Sequence, residues 1–537
     1  MSVRERVGPL VDRVPGEGDG IATGAYAALA TVLAVALVLP LGWLVVDAAA
    51  LGPRALELTL DSQTLEVLGR SVALVTVVTA GSVVVGVPLA VLTVQASIPF
   101  RRFWTVLVAL PLAVPSYLGA FAAISAFGPR GPLSDALAPL GVSIPNVEGF
   151  AGAAVVLTLY TYPYVFLTTR ASLLSLDASL VEAARTLNCG RLESFRRVTL
   201  PQILPGIAAG ALLVALYALA DFGTPNFMNV EVFTQFIYSR HNANMGGYAA
   251  LLSIQLLAVT GVILAAESWI GADDSGAYAS RGNRGAAELD LGLWRYPAMA
   301  LPALVALVAL VLPIGIFAMW FLRGGPGYEF ARLSFSWSYG WNSVKVSLLA
   351  AGVSVLVALP IALRSVRTDS RLSSLTARVP YVGYATPGIV LAIALVSFSL
   401  DVSPELLYKS IPLVVFAYVV RFMPQAIGSI QTSTMQVDSR LIEAARTLGR
   451  SRLEAFRAVT FPLILPGIVT GAALVFLTSM KELPATLLLR PFGFDTLVTF
   501  IWRAEEAGMY GQAAIPAFVL VLVSGLSMGV LLAQEDN

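Results

Sequence analysis

Residues 181 to 207 read VEAARTLNCGRLESFRRVTLPQILPGI and residues 442 to 468 read IEAARTLGRSRLEAFRAVTFPLILPGI, with about two positions in three identical. Identity at that level over a charged segment marks a duplicated half, so the fold is built from two copies of one architecture. The offset of 261 residues is close to half of the 537-residue chain. Each copy runs into a long apolar segment that opens at a shared Leu-Pro-Gly, Leu204 to Gly206 and Leu465 to Gly467.

Each copy reads as helix, turn, helix. Asp177 and Asp438 stand at N-cap positions, and Ala178 to Leu187 and Ser439 to Leu448 place Val181, Ala184 and Leu187, or Ile442, Ala445 and Leu448, on one face at three-residue steps. Gly449 falls at the C′ position, where a left-handed backbone favours glycine, and Asn188, the next most tolerant residue, takes it in the first copy. A second short helix, Arg191 to Thr199 or Arg452 to Thr460, is expected to end before Pro201 and Pro462.

Composition sets the solvent. Hydrophobic residues make up 57% and charged residues 12%, and the mean hydropathy is +0.79; a soluble domain carries about a quarter charged residues. The chain is therefore an all-α polytopic membrane protein. A net charge of +1 argues against nucleic acid or a strongly acidic partner. The single Cys189 excludes a disulfide framework or thiolate cluster, and the single His241 cannot build a zinc or haem site and reads as a surface residue of an outer loop. No metal site is expected.

After a polar tail, 1–20, apolar runs fall at roughly 21–46, 67–95, 103–127, 150–174, 206–224 and 250–271. A polar linker, 272–295, separates these from runs at roughly 296–322, 341–364, 380–400, 407–430, 467–490 and 511–533. The expectation is twelve transmembrane helices in two parallel six-helix repeats, 21–271 and 296–533, with the charged loops at 177–207 and 438–468. Arginines of the tail (Arg4, Arg6, Arg13), the loop at Arg101 and Arg102, both repeated loops, the linker (Arg281, Arg284, Arg295) and the loop from Arg364 to Arg378 share one side of that count. The positive-inside rule makes this side the cytoplasm, with both termini on it.

Inside the apolar runs the repeat places two carboxylates: 39 residues separate Glu182 from Asp221 and Glu443 from Glu482. Each lies 16 residues past its loop proline, Pro205 or Pro466, which on a continuous helix is about 24 Å toward the outer side. Charges at that depth are costly and usually face a cavity. Asp221, Lys481 and Glu482 are candidates for a translocation pathway; the competing assignments are a pair between Glu482 and Lys481 or a neighbouring helix, and capping by Asp221 near Gly223 and Pro225.

The pattern Glu-Ala-Ala, three residues, Gly, then about nine residues to Ile-x-Leu-Pro resembles the EAA loop of ABC importer permeases. The second copy matches at Glu443, Ala444, Ala445, Gly449, Ile464, Leu465 and Pro466; the first matches at Glu182, Ala183, Ala184, Ile203, Leu204 and Pro205, with Asn188 for the glycine. The resemblance implies the type I importer fold and a coupling helix that docks on an ATPase, with Glu182, Arg185, Glu443 and Arg446 at the interface. Ala183, Ala184, Ala444 and Ala445 would let the helix approach closely. Ala220 to Thr224, Met480 to Thr486, Leu489 to Phe492 and Phe494 to Leu497 are similar to the ferric-iron branch, whose thiamine and phosphonate relatives are near. The implied partners are two copies of an ABC ATPase subunit, an external substrate-binding protein and membrane lipid. The implied cargo is iron(III), moved by alternating access across the cell membrane.

The only lysines are Lys345, Lys409 and Lys481, and none lies in a P-loop, G-x-x-x-x-G-K-[ST], so ATP and Mg belong to the partner and this chain is a non-catalytic transport subunit that binds no cofactor. Carboxylate oxygen from Asp221 and Glu482, with outer Tyr238 or Tyr248, suits a hard trivalent cation. An ATP-independent secondary transporter or channel would show charge networks deep in several helices. Here charge gathers in two matching loops.

Overall fold

A backbone surrounded by lipid has to satisfy its own hydrogen bonds, so the long apolar runs become helices. The computed structural model describes residues 38–128, 147–272, 291–323, 334–367 and 379–535, with a few isolated positions besides. Among them the first half comprises α1 (Val38–Ala49), α2 (Ser62–Val94), α3 (Arg101–Ala109), α4 (Ser116–Phe127), α5 (Phe150–Leu174), α6 (Ala178–Thr186), α7 (Leu200–Ala220), α8 (Gly223–Phe227), α9 (Phe233–Asn242) and α10 (Gly246–Ala272). The second half repeats the order as α11 (Gly292–Leu322), α12 (Trp337–Arg367), α13 (Val379–Ala385), α14 (Gly388–Val402), α15 (Ile411–Met435), α16 (Ser439–Thr447), α17 (Phe461–Met480), α18 (Pro484–Leu489), α19 (Leu497–Glu506) and α20 (Ala514–Glu535).

Eight helices among the described residues are long and apolar enough to cross a membrane, and ten spans result if each of two sharply bent helix pairs counts once. α1 and the segment Tyr510–Leu526 are shorter apolar helices. Twelve full spans are therefore not what the described residues display. The polar tail, most of 21–37, the linker from 273 to 290 and the loop from 368 to 378 lie outside them.

Two boundaries differ from expectation for a physical reason. Pro201 and Pro462 do not stop the second short helix: Arg191–Ser194 and Arg452–Ala455 each pass through one wide π turn, Phe195–Thr199 or Phe456–Thr460, directly into α7 or α17. The prolines then fall in the first turn of α7 and α17, where a missing N–H is tolerated, and the extra residue of the π turn absorbs the local mismatch. At the other end both helices stop at Ala220 and Met480, short of the 224 and 490 expected.

Within each half the same contacts recur: α2 packs along α5 and α12 along α15, while α7 packs along α5 and α17 along α15. The second contact rests on a glycine stripe, Gly206 and Gly210 in α7, Gly467 and Gly471 in α17. A Cβ on Gly210 would lie 2.6 Å from Val165 Cα, and one on Gly471 2.8 Å from Ala426 Cα. Small residues four apart let helix backbones touch, which is how helices associate where lipid competes for apolar side chains.

The halves also exchange their first helices. Trp43 of α1 packs edge-on against Phe398 of α14 with ring centroids 5.0 Å apart and donates its Nε1–H to Asp401 at 2.9 Å. Reciprocally, Phe317 of α11 stacks on Phe121 of α4 at 6.0 Å, and Tyr160 of α5 donates to the Ala309 carbonyl of α11 at 3.1 Å.

Replacing Gly471 by leucine should cost at least about 1–3 kcal/mol, since the facing atoms are backbone and cannot yield. The expected outcome is a lower melting temperature and a lower yield of folded chain in detergent, measured beside Gly352→Leu, where nothing lies within 4 Å of an added Cβ. Equal loss in both would remove the stripe as the cause.

Candidate functional site

The repeated loops form as their caps dictate. Asp177 Oδ1 accepts from Ser179 N and Asp438 Oδ1 from Arg440 N, each at 2.9 Å, opening α6 and α16. Asn188 and Gly449 both take the left-handed conformation at φ 65° and 84°. There Cys189 N donates to Ala184 O and Arg450 N to Ala445 O, each at 3.2 Å, which closes the two C-termini identically.

Glu182, Ala183, Arg185, Glu443, Ala444 and Arg446 are exposed. Ala184 is half-buried and Ala445 buried against this chain, so only the first alanine of each pair is on the outer surface. The leucines depart from the expected face: Leu187 and Leu448 are 79% and 84% exposed, with Leu192 and Leu453 exposed beside them. Two steps of three turn about 120° round a helix of 3.6 residues per turn, so Leu187 and Leu448 leave the face of Val181 and Ile442. Each loop is thus an apolar tip ringed by charge, the composition of an interaction surface.

The intramembrane carboxylates stand at a second repeated feature. Two spans are broken, α3 with its short extension Leu110–Ala113 against α4 by 86°, and α13 against α14 by 108°. Val114-Pro115 and Thr386-Pro387 occupy the breaks, because a residue before proline is driven out of the helical region. The N-terminal turns of α4 and α14 therefore end inside the protein, and a carboxylate faces each. Asp221 Oδ1 accepts from Ser116 Oγ, the first residue of α4, at 3.1 Å, and its Oδ2 accepts from Thr224 N at 3.0 Å. Glu482 lies against Gly388, the first residue of α14, where an added Cβ would be 2.7 Å from Glu482 Oε1; the same oxygen accepts from Ala485 N at 3.3 Å. Helix N-termini carry partial positive charge that offsets the cost of a buried carboxylate.

Both carboxylates thus lie just past the ends of α7 and α17, where they cap α8 and α18, and not along a continuous helix. The helices break there because Gly223, Pro225 and Pro484 follow at once.

Symmetry ends at the partners. Glu482, which is buried, forms an ion pair with half-buried Arg421 of α15; the matching position in α5, three residues before the shared proline, is Tyr160. Among the described residues no cation pairs with Asp221. Lys481 points the other way, donating from Nζ to the Ala113 carbonyl at the first break at 3.2 Å, while Tyr117 donates to the Lys481 carbonyl at 3.4 Å. Lys481 is therefore a tie between the halves and not the partner of Glu482. Arg421 was the residue to notice in the sequence: it is the one charge in the apolar run of α15.

Beyond the carboxylates, away from the repeated loops, the halves meet in an aromatic plug. Trp502 of α19 stacks on Phe222 at 5.2 Å and meets Tyr238 of α9 edge-on at 5.8 Å. Trp502 and Phe222 are buried, so the aromatic contact between the halves is closely packed. Tyr238 is committed to the plug. Tyr248 is buried with its hydroxyl 2.6 Å from Thr64 Oγ1, and is thereby removed from any opening. His241 is half-buried on α9 and not on a loop. Among the described residues no group of three or more His, Cys, Asp or Glu side chains is placed to hold a metal ion.

Comparison with known proteins agrees with this architecture. The family model of the binding-protein-dependent transport system inner membrane component matches twice, at residues 82–272 and 352–534, once in each half. An Fe(3+)-transport system permease protein of Haemophilus influenzae is 28% identical over 515 residues, covering 94% of this chain and 97% of its own. A probable ABC transporter permease protein of Sinorhizobium fredii is 25% identical over 82% of this chain and 81% of its own. A molybdenum transport system permease protein of Mycobacterium bovis is 33% identical over 171 residues, 32% of this chain and 62% of its own. Two family matches, one per half, together with the repeated loops and the apolar helices, make this chain a member of the binding-protein-dependent transport system inner membrane component family, a multi-pass permease subunit with both halves in one polypeptide.

Proposed function

We propose that this chain is the permease of an ATP-driven importer for iron(III), receiving its cargo from an external binding protein and delivering it to the cytoplasm by alternating access. The observation that carries the cargo is the likeness to an Fe(3+) permease over nearly the full length of both chains. The carboxylate repeated at each helix break supports it, because a hard cation is best met by carboxylate oxygen. On α19, burial pushes the Glu505 carboxyl up to about 7, with Glu506 and Glu148 adding to the shift.

α6 and α16 would dock on two ATPase subunits, their exposed leucines entering apolar clefts while Glu182, Arg185, Glu443 and Arg446 pair at the rim. ATP binding would draw the two loops together and open the aromatic plug. Coupling of this kind requires that ATP favour one of the two conformations. Thiamine and phosphonate are the alternative cargoes of the sequence resemblance. An oxyanion such as molybdate is a further reading, favoured by the half-buried cations Arg421 and Lys481 and by the molybdenum permeases matched over a third of the chain.

Uptake into vesicles holding this chain with an ATPase and a binding protein decides among these. ATP-dependent uptake of labelled iron(III) is expected; uptake of molybdate or thiamine in its place discards the cargo, and uptake without ATP discards the coupling. Glu443→Lys with Glu182→Lys should cut ATP-driven uptake about tenfold or more while the chain still inserts, and undiminished uptake would remove these glutamates from the interface. Asp221→Asn should slow uptake without weakening ATPase association. It is a cleaner probe than Glu482→Gln, which would strand Arg421 at a cost of about 3–5 kcal/mol.

Glu505 adds a pH signature. A carboxyl raised from 4.5 to about 7 binds its proton more tightly in the folded state, so its protonation favours folding at low pH and that advantage is lost as pH rises through this window. Glu505→Gln should flatten the decline in melting temperature across the window and raise it above pH 7; an unaltered profile would show that Glu505 titrates normally.

A further inference from the structure

Two short helices, one from each half, meet at the aromatic contact, and the repeat makes them equivalent. α9 and α19 each run for ten residues, Phe233–Asn242 and Leu497–Glu506. Each opens on the same device: Phe233 N donates to Ser71 Oγ of α2 at 2.9 Å, and Leu497 N donates to Ser343 Oγ of α12 at 2.8 Å. Tyr238 and Trp502 are the sixth residues of their helices, so the edge-on contact between them at 5.8 Å joins equivalent positions of the two halves. Trp502 also lies against Phe222 and Phe227 of the first half, with ring centroids 5.2 Å away in each case.

The charges that hold the two helices are not equivalent. Two residues before α9 stands Glu231, which pairs at 3.4 Å with Arg70 of α2, both side chains nearly half exposed. Two residues before α19 stands Asp495, whose side chain is 7% exposed and pairs with both Arg490 and Arg503. The first half has Asn226 and Ser239 at the places of these arginines. Arg70 is matched by Asn342, which donates from Nδ2 to the Asp495 carbonyl at 2.9 Å and leaves the carboxylate to the arginines. Arg490 closes α18, and Arg503 directly follows Trp502. One buried carboxylate thus joins the end of α18, which Glu482 caps at its start, to the last turn of the helix that carries Trp502.

A buried carboxylate is tolerated only while its cations stay, and two guanidinium groups gathered on it would repel each other in its absence. The network therefore resists rotation or withdrawal of α19 at the end opposite its cap, where the indole stands. Alternating access requires the contact between the halves to part and re-form in each cycle, and a side chain held in one orientation re-forms it at a lower ordering cost. We propose that Asp495 is a positioning residue of the transport cycle, which holds Trp502 in its first-half aromatic socket through Arg490 and Arg503. This rests on the reading of the chain as an importer permease and not on the identity of the cargo.

The test uses the full chain with its eight tryptophans replaced by 5-fluorotryptophan, in detergent for fluorine NMR and in vesicles with an ATPase and a binding protein for uptake. The Trp502 resonance is identified by its loss in Trp502→Phe. Asp495→Asn is expected to shift or split that resonance and to reduce ATP-dependent uptake about fivefold or more, and Asp495→Glu to restore both in part. Arg503→Gln, at the more exposed end of the network, gives the same readings where Asp495→Asn fails to insert. A resonance unmoved in the inserted variant overturns the proposal even where the melting temperature falls, since Asp495 then serves stability alone. A moved resonance with undiminished uptake overturns it as well. Uptake is read with whichever of labelled iron(III), molybdate and thiamine the unaltered chain carries. Failure of all three overturns the transport reading, and the resonance still decides whether Asp495 places Trp502.

Discussion

The contact between a carboxylate and the N-terminal turn of a broken helix sets the geometry of the whole membrane interior. A charge of either sign inside the bilayer is costly unless polar groups meet it. At Asp221 a serine hydroxyl and a backbone amide do so; at Glu482 a backbone amide and Arg421 do so. Each carboxylate in turn supplies an acceptor where a helix begins inside the protein, with its first amide groups lacking intrahelical partners. Break and charge thus depend on each other, and each half uses the arrangement once.

The duplication gives two equal scaffolds, and the side chains then make them unequal. Tyr160 stands where Arg421 stands in the other half, and Ala220 where Lys481 stands. The first carboxylate is therefore met by neutral groups and the second by an arginine, with a lysine crossing from the second half to the carbonyl of the first.

What the sequence disclosed was local. The N-caps at Asp177 and Asp438, the left-handed Asn188 and Gly449, and the membrane class all depend on residues within a few positions of one another or on bulk hydropathy, and pattern reasoning reaches them. Placement of Asp221 and Glu482 at equivalent points came from the repeat. Their partners did not, because Ser116 and Arg421 are about a hundred and about sixty residues distant, and no periodicity reports that distance. The exposure of Leu187 and Leu448 escaped a three-residue face count because two such steps turn about 120° round a helix of 3.6 residues per turn. The π turns before Pro201 and Pro462 escaped it because proline ordinarily signals a stop.

The exchange of first helices has a consequence for biogenesis. α1 is made early, yet Trp43 finds Phe398 and Asp401 only after most of the second half has been synthesised. Until then its indole N–H is without this acceptor, and the surface of α4 that receives Phe317 waits likewise for α11. Joining both halves in one polypeptide makes that wait a matter of chain length, where two separate subunits would have to find each other by diffusion in the bilayer.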